Sequence, residues 1–102
     1  MIIVMGHIRL GPGEIDRLSD DLAQQMAATQ AEDGCEQYIF SQDVTDPDLL
    51  LISERWRDAD ALAAHGKAPH MAGFNKKIGT AQILDISIKA YEAGNVRVLM
   101  GK

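Results

Sequence analysis

The sequence predicts one α+β domain spanning residues 1–102, with ferredoxin-like βαββαβ order and a second helix broken at residues 66–68. Three observations carry this reading. Residues 2–10, 35–42, 49–55 and 81–90 are β-patterned runs separated by turn-forming clusters. Ile15, Leu18, Leu22 and Met26 recur at three- and four-residue steps, the spacing of an amphipathic helix lying on a sheet. Gly66 stops a later helical stretch and Pro69 starts it again.

In the first strand Ile2, Val4, Ile8 and Leu10 share one face, and Ile3, Met5, His7 and Arg9 share the other. Its start is apolar on both sides, which calls for helices over one face and a different cover over the other. Gly6 marks either a close backbone approach or a bulge. His7 is read as a structural or interface group. Gly11-Pro12-Gly13 then opens the first helix, with Glu14 and Asp16 near its positive end. Ser19, Asp20, Gln24 and Gln30 take the solvated face, and Met26 is core filler or, with Met5, part of a pocket wall. Gly34 suits a left-handed cap.

The second strand places Glu36, Tyr38 and Phe40 on one side and Cys35, Gln37, Ile39 and Ser41 on the other. Residues 43–48 form a polar turn whose bend comes from Asp46 and Pro47. After the third strand, Asp58 caps a short helix that carries His65 in its last turn. Pro69 opens another, on which His70 and Phe74 lie four residues apart and on one face. Leu84, Ile86 and Ile88 give the last strand an apolar face. Residues 95–100 read as a short extra strand or arm, and residues 91–102 as a C-terminal arm engaged in dimer packing.

A formal charge of -5 offers no positive field for a phosphate backbone, so nucleic acid is excluded as a partner. The single Cys35 allows no internal disulfide and fits a reducing compartment, and residues 1–10 are too short for a signal segment, which places the chain in the cytoplasm without a membrane. Gly11 and Gly13 lack the third glycine of a dinucleotide fingerprint, and no serine stands in a nucleophile elbow. His65 and His70 are five apart across a helix break, with no third ligand that the sequence identifies. No metal, flavin or haem cofactor is expected.

The run from Glu54 to Phe74 also carries a resemblance. Glu54-x-Trp56, Asp58, Ala61-Leu62, Ala64-His65, Pro69-His70 and Phe74 resemble the antibiotic-biosynthesis monooxygenase (quinol monooxygenase-like) family, as do Pro12-Gly13 and Gly34-Cys35. The resemblance spans residues 2–90. It implies a homodimer, a dimeric α+β barrel, and oxidation of a small phenolic or hydroquinone-type aromatic by molecular oxygen without a cofactor. The candidate catalytic residues are His65 and His70, since a free imidazole titrates near neutral pH and suits deprotonation of a phenol. The candidate substrate-binding residues are Trp56, Phe74, Tyr38 and Ile52. Related oxygenases place an Asn four residues before the Trp, where this chain has Ile52. Haem degraders of the family place an Asn on the first strand and an iron-binding His on the broken helix, where this chain has Gly6 or His7, and Asn75. The competing readings are a non-catalytic binding module for a small hydrophobic metabolite and a proton-transfer enzyme, an isomerase or decarboxylase. In the structural reading of the same residues, Trp56 fills the core, Glu54 joins a cross-strand ion pair, and His65 meets a helix dipole.

Overall fold

The computed structural model describes all 102 residues. The elements are β1 (Ile2–Leu10), α1 (Glu14–Arg17), α2 (Ser19–Gln30), β2 (Cys35–Asp43), β3 (Asp46–Trp56), α3 (Ala59–Gly66), α4 (Pro69–Ile78) and β4 (Ile83–Glu92). The four strands form one antiparallel sheet in the order β2-β3-β1-β4. The ferredoxin-like order is therefore present.

The closed barrel is not. β2 and β4 are the two edges of an open sheet. Four strands are too few to wrap around a packed interior, and the small barrels that do so use about eight.

The helices cover one face only. Val4, Ile8, Leu10, Leu50 and Ile52 from the sheet pack against Ile15, Leu18 and Leu22, with Phe40, Phe74 and Ile78 at the margin. A second cluster joins Val4, Tyr38, Trp56 and Ala61. On the opposite face Met5 and Ile39 remain exposed, as the two-sided apolar pattern of β1 anticipates. Ile86 and Ile88 face the helix side, opposite Ile8 and Gly6, yet stay exposed at the edge.

Several local expectations need correction. The first helix breaks at Leu18 (φ -96°, ψ 4°), although the Leu18 amide still donates to the Glu14 carbonyl and the Leu22 amide to the Leu18 carbonyl. The hairpin bends at Val44 and Thr45, not at Asp46-Pro47: Asp43 pairs with Asp46, and the Asp43 carboxylate accepts from both the amide and the hydroxyl of Thr45. Pro47 thus sits near the start of β3, where a missing donor is tolerated. A register shift between Cys35 and Gln37 turns Cys35 towards Trp56, while Glu36 reaches Arg55 at 3.4 Å. Residues 93–99 carry no strand.

Gly6 is explained by close approach, not by a bulge. A Cβ there would lie 2.1 Å from the Ser87 carbonyl oxygen and 2.7 Å from the Ile88 Cα. Gly34 adopts the expected left-handed conformation, φ 82°, and turns the chain from α2 into β2. No helix is long and apolar enough to cross a membrane.

Candidate functional site

The inner stripe of α2 changes chemistry along its length. Leu18 and Leu22 are followed at the same spacing by Gln25, Thr29 and then Glu32 in the turn beyond the helix, so the stripe ends in polar groups aimed at the protein interior. Gln25 is only 3% exposed. Across from it, the Asp58 carboxylate accepts from the Ala61 amide at 2.8 Å and starts α3, which is just long enough to bury His65 in its last turn. Pro69 then occupies the first turn of α4, where its missing N–H is harmless, and sets His70 beside His65.

Glu32 joins the two histidines. Its Oε2 lies 2.7 Å from His65 Nδ1 and 3.0 Å from His70 Nε2. His70 Nδ1 faces Gln25 Oε1 at 2.8 Å, and the Gln25 amide nitrogen donates to the Tyr38 hydroxyl and to Met71 Sδ. With its Nδ1 proton committed to the carboxylate, a neutral His65 has a lone pair on Nε2, which has no hydrogen-bond partner in the protein. The ring is flanked by Trp56 and Tyr38, with centroids 4.8 and 5.4 Å away. This is a histidine held in orientation by a carboxylate and two aromatic walls.

His65 borders a cavity of about 400 Å³ between the sheet, α3 and α4. Tyr38, Ile52 and Phe74 also line it, as do Phe40 and Glu54. His70 does not. It lies in a neighbouring surface groove between α2 and α4, with Gln25 and Phe74. Trp56 is likewise absent from the cavity wall: it is fully buried behind His65, and its Nε1 donates to Glu54 Oε1 at 2.9 Å. Glu54 makes no cross-strand ion pair. Its second oxygen has no hydrogen-bond partner in the protein. His7 is remote from this region and pairs with Asp85 at 2.9 Å.

Burial dominates the electrostatics. It raises the Glu54 carboxyl above the ordinary carboxylate range against the Trp56 hydrogen bond, and it pushes the Tyr38 phenol up to about 12. It also raises the Cys35 thiol, which is therefore a poor nucleophile. A cavity with mainly apolar and aromatic walls thus meets one acceptor nitrogen and one carboxyl, a constellation suited to taking a proton from a flat aromatic hydroxyl.

Glu32 and Gln25 were not identifiable as site residues from the sequence. The signal that points to them is that the three- and four-residue stripe of α2 continues into Gln25, Thr29 and Glu32 after its hydrophobic members end.

Known proteins share this architecture. A crystal structure from Deinococcus radiodurans, described as a putative antibiotic biosynthesis monooxygenase, is 31% identical, superposes with a TM-score of 0.89, and aligns over 99% of this chain and 100% of its own. The structure of PA3566 from Pseudomonas aeruginosa is 28% identical, with a TM-score of 0.80 and coverage of 92% and 94%. YcnE of Bacillus subtilis (strain 168), described as a putative monooxygenase, is 25% identical over 77 residues, 76% of this chain and 81% of that protein. The family model described as antibiotic biosynthesis monooxygenase matches residues 1–77, a segment that runs from β1 into α4 and holds Glu32, Glu54, His65 and His70. The chain belongs to the antibiotic biosynthesis monooxygenase family.

Proposed function

We propose that the protein is a cofactor-independent monooxygenase that oxidises a small phenolic or hydroquinone-type aromatic with molecular oxygen. The observation that carries this reading is His65 at the cavity wall, its ring fixed by the 2.7 Å contact of Nδ1 with Glu32 and its Nε2 without a hydrogen-bond partner in the protein. Nε2 takes the substrate's hydroxyl proton, as a positioned base does. The resulting aryl anion passes one electron to oxygen, and the radical pair combines to form a carbon–oxygen bond. Loss of the proton from that carbon, with cleavage of the O–O bond, leaves a quinone carbonyl and one water. Tyr38, Phe40 and Phe74 form aromatic walls for the ring, Ile52 provides an apolar contact, and Glu54 offers the one carboxyl. His70 acts behind His65 by holding Glu32.

The protein works as a homodimer in the cytoplasm. Support comes from the exposed Met5 and Ile39 on the uncovered sheet face, and from Val96, Val98, Leu99 and Met100 exposed in the C-terminal arm. The lone thiol fits a reducing compartment.

Oxygen consumption with naphthohydroquinones and anthrone-like phenols tests the reaction. Uptake should depend on substrate and fall about a hundredfold or more in a folded His65→Ala variant, the scale of a general base. Unchanged uptake in that variant would remove His65 from the role. Tight binding of the same compounds without oxygen uptake would favour a sequestering module instead.

A further inference from the structure

The donor geometry around His70 is incomplete as it stands. Its Nδ1 faces Gln25 Oε1 at 2.8 Å and its Nε2 faces Glu32 Oε2 at 3.0 Å, so both ring nitrogens point at oxygens. Met71 Sδ, 3.0 Å from the Gln25 amide nitrogen, favours this orientation of the amide, because a thioether accepts and has no proton to give. A neutral imidazole carries one proton and can donate to only one of the two oxygens. With Nδ1–H given to Gln25, the Nε2 lone pair faces Glu32, where a second proton or a shared metal ion reconciles the two.

We propose that Glu32, His65 and His70 bind a divalent transition-metal ion of the Zn²⁺ and Co²⁺ class through Glu32 Oε2, His65 Nδ1 and His70 Nε2. These three atoms lie within 4.8 Å of one another. Ligands about 2.1 Å from a tetrahedral ion stand about 3.4 Å apart, so the 2.7 and 3.0 Å contacts open by about 0.7 and 0.4 Å, and the two ring nitrogens, within 4.8 Å of each other, settle at that separation. Two imidazoles and a carboxylate suit such an ion, and three protein ligands leave a fourth position open. Gln25 supplies the outer hydrogen bond that directs a ligating histidine, holding Nδ1–H so that the Nε2 lone pair faces the ion. Charge favours a cation as well: neither Glu32, which contacts both histidines, nor Glu54, whose partner is Trp56, is paired with Lys or Arg. Entry is through the α2–α4 groove, where the His70 side chain is 25% exposed.

This site shares His65 and Glu32 with the proposed oxidation but does not rest on it, and it is tested without substrate. Co²⁺ is titrated into the full chain and followed by visible absorption, with Zn²⁺ added in competition. We expect a d–d band that saturates at one Co²⁺ per chain and is displaced by Zn²⁺. Glu32→Gln and His70→Gln should each weaken binding by more than about tenfold, while His7→Ala, which removes the only other histidine, should leave it unchanged. The absence of a saturable band in the folded wild-type protein overturns the proposal whatever the variants do. So does a band of the same affinity in folded Glu32→Gln and His70→Gln, or one lost in His7→Ala.

Discussion

Trp56→Phe separates two contributions that the buried tryptophan makes. The side chain is 0% exposed, and its Nε1–H is the only hydrogen bond to the buried Glu54 carboxyl. Trimming the indole to a phenyl ring removes buried hydrocarbon, a loss of about 1–2 kcal/mol. Removing the donor leaves an ionised carboxylate unpartnered in the interior, a further loss of about 1.5–3 kcal/mol. The total near neutral pH is about 2.5–5 kcal/mol, a large share of the roughly 5–15 kcal/mol available to a domain of this size.

The two parts respond differently to pH. Burial raises the folded-state pKa of Glu54 above its ordinary value of 4.5, so the folded state binds more protons than the unfolded state in that window. Glu54 therefore contributes stability that is fully present below pH 4.5 and is lost as pH rises through the raised folded value. Trp56→Phe raises that value further by deleting the one hydrogen bond that lowers it. Its penalty should be largest at neutral pH and shrink towards the packing part as pH falls to about 4. Urea unfolding of the wild type, Trp56→Phe, Glu54→Gln and the double variant at several pH values measures this. A Trp56→Phe penalty that is flat with pH, or one whose pH dependence persists in the Glu54→Gln background, would refute the assignment to Glu54.

Three further outcomes are expected. Gly6→Ala should destabilise the fold by about 3 kcal/mol or more, because its Cβ meets the β4 backbone at 2.1 Å, and thermal denaturation showing a change under about 0.5 kcal/mol would contradict the β1–β4 packing. Glu14 is held at about 2, first by the Arg17 guanidinium and then by the Gln82 amide, so its stabilising contribution is present above 4.5 and lost as pH falls towards 2. Glu14→Gln should accordingly flatten the acid limb of the stability curve, and an unchanged limb would show that the ion pair has no effect in solution. Sedimentation at micromolar concentration should give about twice 11.1 kDa, and a stable monomer there would remove the homodimer.

The elements were legible where periodicity and punctuation agree. Asp58 and Pro69 mark the starts of α3 and α4, and Gly34 takes its left-handed turn, because each is fixed by local backbone chemistry. The hairpin was displaced because Asp43 outcompeted Asp46-Pro47 for the bend, a choice between two good turn formers that local sequence does not settle. Cys35 changed faces because alternation cannot locate a bulge. At the site, His65, Tyr38, Phe74 and Ile52 came together as the strand and helix patterns suggest, whereas Trp56 lies behind the cavity wall, since its size and its Glu54 bond favour full enclosure. Gln25 and Glu32 escaped notice for a different reason. A polar residue at a core-facing helical position looks solvated to any hydrophobicity pattern, and the histidines that satisfy these two are 33 to 45 residues away in sequence.

If His65 is both the proposed base and a proposed metal ligand, its bond to Glu32 makes the two roles mutually exclusive. A neutral imidazole has one proton for its two nitrogens. When Nδ1–H donates to Glu32, Nε2 carries the lone pair and is free to take a proton from a hydroxyl. When Nδ1 instead coordinates an ion, that proton must reside on Nε2, and the same ring presents a donor to the cavity. Under both proposals together, a bound ion would block proton removal through the protonation of one nitrogen, so added Zn²⁺ would lower turnover.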